Sequence, residues 1–210
     1  MGERAAAGGG KWVDVAPGRL PRWLENFARR HGPYTEKGLT LIAEDGATAA
    51  WQVPPGAPEA GTIAELIIEA GRPRRLGLLL ARKGAVAVGI AEGDELVASK
   101  VDTHYVQGRT AAGGWSQQRF ARRRDNQAKA ATADGAGIVG RILLPEVRHL
   151  SALVTGGDRT AVDAILAAPP LAPLAAVRAE RFLDVPEPRH AVLVSAIAGA
   201  RSVSVLVKEP

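Results

Sequence analysis

The chain has 210 residues and no cysteine, which excludes disulfides, thiolate metal sites and a thiol nucleophile. Its hydrophobic content of 46% suits a globular protein with its own core, and with only 4% aromatic residues the packing falls to aliphatic side chains and alanine. The formal charge is +5 and the pI near 10.0, a modest excess that is concentrated in one place: Arg119, Arg122, Arg123, Arg124 and Lys129 are opposed there only by Asp125. No apolar run approaches the roughly 20 residues needed to cross a bilayer. The opening, MGERAAAGGGKWVD, lacks the apolar stretch of a secretory signal, and Ala6 stands where the myristoylation pattern needs Ser or Thr. A soluble, cytoplasmic chain is expected.

Residues 1–11 are small and glycine-rich and read as a disordered N-terminal segment. Leu20, Trp23, Leu24 and Phe27 then fall at i, i+3, i+4 and i+7, one apolar helical stripe that Gly32-Pro33 ends. Segments 39–45 and 48–53 form a hairpin around Gly46. Thr62 and Glu65 make a capping box for a helix that stops at Gly71 and Pro73. The continuous apolar run at 76–81 has the character of a strand buried on both faces, and two more strands turn around Gly93-Asp94. A helix is expected over about 116–131, and IVGRILLPEV also reads as helical. A strand over 149–157 leads to Asp158, which caps the helix RTAVDAILAA before Pro169-Pro170. A short helix near 172–180, a strand near 181–185, a helix in HAVLVSAIAGA and a last strand in SVSVLVK complete the chain. Antiparallel strands come first and later strands alternate with helices. The pattern predicts an α/β fold with a mixed β-sheet and flanking helices, as one domain over 12–210.

Several chemistries lack their motifs. There is no GxxxxGK[ST] and no GxGxxG after a strand. TGGDRTAVD is a strand–Gly-Gly–helix junction, a place where an anion could sit at a helix N-terminus, and it reads first as a tight turn into a capped helix. His31, His104, His149 and His190 have no ligand spacing, so no metal and no other cofactor is expected. Ser116 lies outside any GxSxG elbow.

The informative stretch is RTAAGGWSQQRFARRRDNQ, residues 109–127. Gly113 and Gly114 allow left-handed backbone and close approach to another molecule. Beyond them Arg119, Arg122, Arg123 and Asn126 share one helical face, and Phe120 is nearly the only large apolar residue. A helix with so little apolar surface either stands in solvent or meets a polyanion. A glutamine here is no general base, because a carboxamide is not basic near neutral pH. Its oxygen can accept from a water and its nitrogen can donate, so it can position a nucleophile.

THYVQGRTAAGGWSQQRFARRRDNQ resembles the catalytic segment of the Vms-like release factors, relatives of the middle domain of eukaryotic and archaeal class-one release factors. Tyr105-Val106 matches the incoming strand, Gly113-Gly114 the glycines of the loop, and Gln117 the reactive amide at Gly-x-x-Gln spacing. Trp115 and Ser116 are additional relative to Gly-Gly-Gln, which leaves Gln118 as the alternative amide. The Ala/Arg-rich style is similar to the actinobacterial branch. The match is strong only over about 103–129.

The resemblance implies an RNase H-like α/β unit of the release-factor middle-domain type. It also implies a peptidyl-tRNA hydrolase of ribosome rescue, acting as a monomer on stalled large ribosomal subunits, with peptidyl-tRNA and ribosomal RNA as partners. Gln117, Gly113 and Gly114 would form the catalytic loop, and Arg109, Arg119, Arg122, Arg123, Arg124 and Lys129 would hold RNA. The other readings are a nuclease that cuts the tRNA near its CCA end, a non-catalytic RNA-binding module, and a plain domain with an exposed arginine-rich helix.

Overall fold

The structure, a computed structural model, describes residues 3–82, 84–103 and 116–210, and of residues 116–128 the backbone alone. In chain order it contains β1 (Glu3–Ala5), β2 (Lys11–Val15), α1 (Leu20–His31), β3 (Tyr34–Lys37), β4 (Thr40–Ala43), β5 (Thr48–Gln52) and α2 (Ile63–Gly71). Next come β6 (Arg75–Arg82), β7 (Ala85–Glu92), β8 (Glu95–Thr103), α3 (Ser116–Leu143), β9 (Ala152–Gly157), α4 (Arg159–Leu166) and α5 (Ala172–Ala176). The last elements are β10 (Arg178–Leu183), α6 (His190–Arg201) and β11 (Val203–Lys208). Where the sequence reading drew one domain over 12–210, the residues group into two compact units, Met1–Arg74 with Ala198–Pro210, and Arg75–Ile197.

The first unit is built on a six-stranded antiparallel sheet in the order β1-β2-β11-β5-β4-β3. The last strand of the chain therefore lies in the middle of the first sheet, where Val203, Val205 and Val207 are buried. The predicted stripe of α1 packs as expected: Leu20 and Phe27 are buried in this core, with Trp23 and Leu24 against it. Trp23 stacks on Phe27 with ring centroids 5.7 Å apart and meets Trp51 edge-on at 5.2 Å. The capping box forms, with the Thr62 hydroxyl accepting from Glu65 N–H and the Glu65 carboxylate accepting from Thr62 N–H. Asp45 holds the β4–β5 turn. One of its oxygens accepts from Ala47 N–H at 2.9 Å and the other lies 2.8 Å from His31 Nδ1.

The N-terminal segment needs correction. Glu3–Ala5, read above as part of a disordered tail, pair antiparallel with Val13, Trp12 and Lys11. Gly8, Gly9 and Gly10 have φ between 84° and 100°, so the glycines that suggested disorder make the left-handed turn that brings β1 back onto β2.

The second unit carries a five-stranded mixed sheet in the order β10-β9-β6-β7-β8. β10, β9 and β6 are parallel, whereas β7 and β8 are antiparallel to their neighbours. The chain is thus α/β with a mixed sheet and flanking helices, as its pattern indicated, and the early antiparallel strands form a sheet of their own. Leu76, Leu78, Leu79 and Leu80 of β6 are all fully buried, which explains the unbroken apolar run.

The glycines of TGGDRTAVD have a packing role. A Cβ at Gly156 would lie 2.7 Å from Leu183 O, and one at Gly157 would lie 2.4 Å from Ala81 O. Asp158 caps α4 by accepting from Thr160 N–H at 2.8 Å and Ala161 N–H at 3.3 Å. This is the tight turn into a capped helix that the sequence suggested. The two helical stretches expected from 116 onward are one continuous helix of 28 residues, about 42 Å long.

Candidate functional site

α3 joins the mixed sheet through its C-terminal part. Ile138, Val139 and Leu143 are buried in the core that Leu79, Val86, Val88 and Ile165 complete. Gly135 is the first buried position among the described side chains of the helix. A Cβ there would lie 3.2 Å from Ile165 Cδ1 and 3.3 Å from Val86 Cγ2, so the missing side chain sets how closely the helix approaches β7 and α4. Sequence reading passed over this glycine. Its signal was a Gly inside a helical stretch, where it costs about 1 kcal/mol against alanine and so calls for a packing reason.

From Ser116 to Gly135 the helix runs about 28 Å. Across Lys129–Asp134 no side chain is buried. Alanine, glutamine and arginine dominate this half, and such residues lose little rotamer freedom in a helix. Intrinsic propensity sustains α3 here, in the absence of a sequence stripe that could be buried.

The uninterrupted helical backbone fixes which predicted positions share a face. At about 100° per residue, positions 119, 122, 123, 126 and 129 fall within an arc of roughly 120°, and position 124 falls about 140° from 119. Five of these six positions therefore lie together, and Arg124 is set apart. The Lys129 side chain is exposed.

Gln117 and Gln118 belong to the first turn of α3. The backbone N–H groups of a first turn lack intrahelical partners, and the partial positive charge at a helix N-terminus favours anions. Arg109, Gly113 and Gly114, and the matched Tyr105-Val106, lie outside the described residues, between the end of β8 at Thr103 and the start of α3 at Ser116. β8 is an edge strand paired with β7, with Thr103 opposite Ala85. The candidate loop is thus bracketed by an edge strand and a helix N-terminus.

Among the described residues, no group of three or more His, Asp or Glu side chains is placed to hold a metal ion. Of the histidines, His31 is engaged by Asp45, and His104 lies outside the described residues. Among the described residues no helix is long and apolar enough to cross a membrane.

Residues 74–206 match a family model described as the Actinobacteria/chloroflexi VLRF1 release factor. Among solved structures, the chain is similar to the crystal structure of an archaeal translation termination factor, aRF1, with a TM-score of 0.42 at 12% identity, covering 90% of this chain and 66% of that one. A second, described only as an archaeal protein, gives 0.41 at 13% identity with the same coverage of 90% and 66%. The chain spans just under two thirds of the length of either. A search of curated proteins by sequence finds no match.

Proposed function

The chain belongs to the Actinobacteria/chloroflexi VLRF1 release factor family, and on that premise we propose that it frees nascent chains from tRNA on stalled large ribosomal subunits by hydrolysing the ester of peptidyl-tRNA. One observation carries the reading beyond family membership: the Gly-Gly-x-x-Gln sequence falls between the end of an edge strand at Thr103 and the first turn of a long helix that is anchored by its far end. A helix held only by its far end can meet another molecule with its N-terminal half.

In this reading the Gln117 carboxamide accepts a hydrogen bond from a water and orients it toward the ester carbonyl. The water oxygen bonds to the carbonyl carbon, and the bond to the 3′ oxygen of the terminal adenosine breaks. The second water proton ends on that oxygen, which leaves a peptide acid and an intact tRNA. Gln117 itself supplies no proton, and its contribution is positioning. Well-oriented reactants gain up to about 7–11 kcal/mol over free collision. Gly113 and Gly114 let the backbone approach the substrate closely. Arg109, Arg119, Arg122, Arg123, Arg124 and Lys129 hold RNA phosphates, for which a guanidinium fork is well matched. No cofactor enters the scheme, and the protein acts in the cytoplasm as a monomer.

The test is product analysis. Large subunits carrying labelled peptidyl-tRNA are incubated with the protein, and the RNA product is resolved to a single nucleotide. Release of full-length tRNA is expected. A tRNA shortened at its 3′ end would replace ester hydrolysis by nuclease action, and an untouched substrate would reduce the protein to a binding module.

A further inference from the structure

We propose that the groove along α1 in the first unit is a second RNA-binding surface, which grips the phosphate backbone of a single-stranded segment. This surface lies outside residues 74–206, so family membership does not account for it. It is also independent of the role given to α3.

The groove has a volume of about 470 Å³ and is lined by Asp14, Arg19, Arg22, Trp23 and Asn26, among others. Its one carboxylate is already occupied. Asp14 accepts from Arg4 at 2.8 Å and from the Ser204 hydroxyl, so Arg4 neutralises it. Arg19 and Arg22 line this groove, and Arg30 lines the adjoining hollow along α1 beside Glu3, which is itself paired with Lys11. All three arginines are exposed, and none of their side chains makes a hydrogen bond or ion pair with any described residue. Arg19, Arg22, Asn26 and Arg30 follow at i, i+3, i+7 and i+11, one side of the helix. Arg29 adds a further guanidinium, donating to Asn26 Oδ1 at 2.6 Å. Glu25 is the only acidic residue on α1. The first turn of α1 holds no acidic residue and its N-cap, Arg19, makes no side-chain cap. Cations at that end oppose the helix dipole.

The chemistry of the wall selects the ligand. Trp23 lines the groove and is held in place by Phe27, with ring planes 13° apart, and by the edge-on contact with Trp51. A rigid indole beside unpaired guanidinium groups is the pairing that single-stranded nucleic-acid sites use: cations track the backbone while an aromatic wall receives a base. An acidic peptide would engage the guanidinium groups and leave the indole without a counterpart.

The experiment is fluorescence anisotropy of a labelled oligouridylate with the full chain over a series of salt concentrations. Arg19, Arg22 and Arg30 are replaced together by Gln, both in the natural chain and in a chain with Arg119, Arg122, Arg123 and Arg124 replaced by Gln. A single-strand contact contributes about 0.7 to the slope of log K against log salt, so losing three should lower the slope by about 2 in both backgrounds. Lysine at the three positions should restore it. Far-UV circular dichroism checks that each variant is folded. A slope unchanged in both backgrounds would overturn the proposal, and so would competition by polyglutamate as effective as that by unlabelled RNA. If the α3 substitutions alone change nothing while the α1 substitutions abolish binding, the RNA role of α3 fails and this surface stands.

Discussion

Gly135 of α3 lies against Ile165 of α4 so closely that a Cβ at position 135 would sit 3.2 Å from Ile165 Cδ1. Two effects of a substitution oppose one another there. Alanine gains about 1 kcal/mol of helix propensity, and its methyl must push Ile165 and Val86 aside by a few tenths of an ångström. Gly135→Ala should therefore stay within about 1 kcal/mol of the natural protein. Gly135→Leu cannot be accommodated and should cost about 1–3 kcal/mol. Urea midpoints measure both.

Gly157 is a harsher position. Its φ is 98°, and a Cβ would meet the backbone carbonyl of Ala81 at 2.4 Å. A backbone atom cannot swing away as the end of a side chain can. Gly157→Ala should lose more than about 2 kcal/mol from strain and overlap together. If instead the glycine pair served only to bind an anion, stability would be unchanged and phosphate binding would fall.

Asp45 makes one part of the stability depend on pH. The Ala47 N–H hydrogen bond, followed by the His31 contact, holds its carboxyl below the ordinary value of 3.8. The facing groups are His31 and, across the ring at 3.7 Å from Nε2, Glu209. A depressed carboxyl pKa means the folded state binds the proton less well than the unfolded one. The contribution is present above the ordinary value and is lost as pH falls through the folded pKa. Asp45→Asn should therefore be less stable than the natural chain near neutral pH, with the gap narrowing as pH falls below 3.8 in denaturant titrations. A gap independent of pH would contradict the assignment.

The geometry of α3 separates its cations. Positions 119, 122, 123 and 129 share an arc, and 124 lies outside it. If RNA runs along one face, single substitutions to Gln at the first four positions should each weaken binding to large subunits and lower the salt slope by about 0.7–0.9. Arg124→Gln should do less. Equal losses at all five positions would mean that the RNA surrounds the helix.

Much of this was legible in the residues, for definite reasons. The α1 stripe, the capping box at Thr62 and Glu65, and the Asp158 cap are local patterns, and each formed. The partner of a strand is not local. Nothing in SVSVLVK says that β11 inserts between β2 and β5, because a strand with alternating valines fits any sheet with a matching pattern. Gly8–Gly10 misled because glycine enrichment marks both disorder and a left-handed turn, and only the pairing of Glu3–Ala5 with β2 distinguishes them. Arg109, Gly113, Gly114 and Gln117 lie in a short segment, and they are proposed from its glycine–amide pattern together with a resemblance over about 103–129. No RNA contact was read into the arginines of α1, because sequence alone does not reveal that Asp14 is already neutralised by Arg4.

The central claim is that one uncharged amide places the water that attacks an RNA-linked ester. The most direct measurement is the single-turnover rate of peptide release from stalled large subunits, comparing Gln117→Ala with Gln118→Ala. Subunit binding is followed in parallel. The account predicts that Gln117→Ala binds normally and releases peptide at least about 100-fold more slowly, a loss of about 2.7 kcal/mol of transition-state stabilisation, while Gln118→Ala stays near the natural rate. Full activity in Gln117→Ala would contradict it.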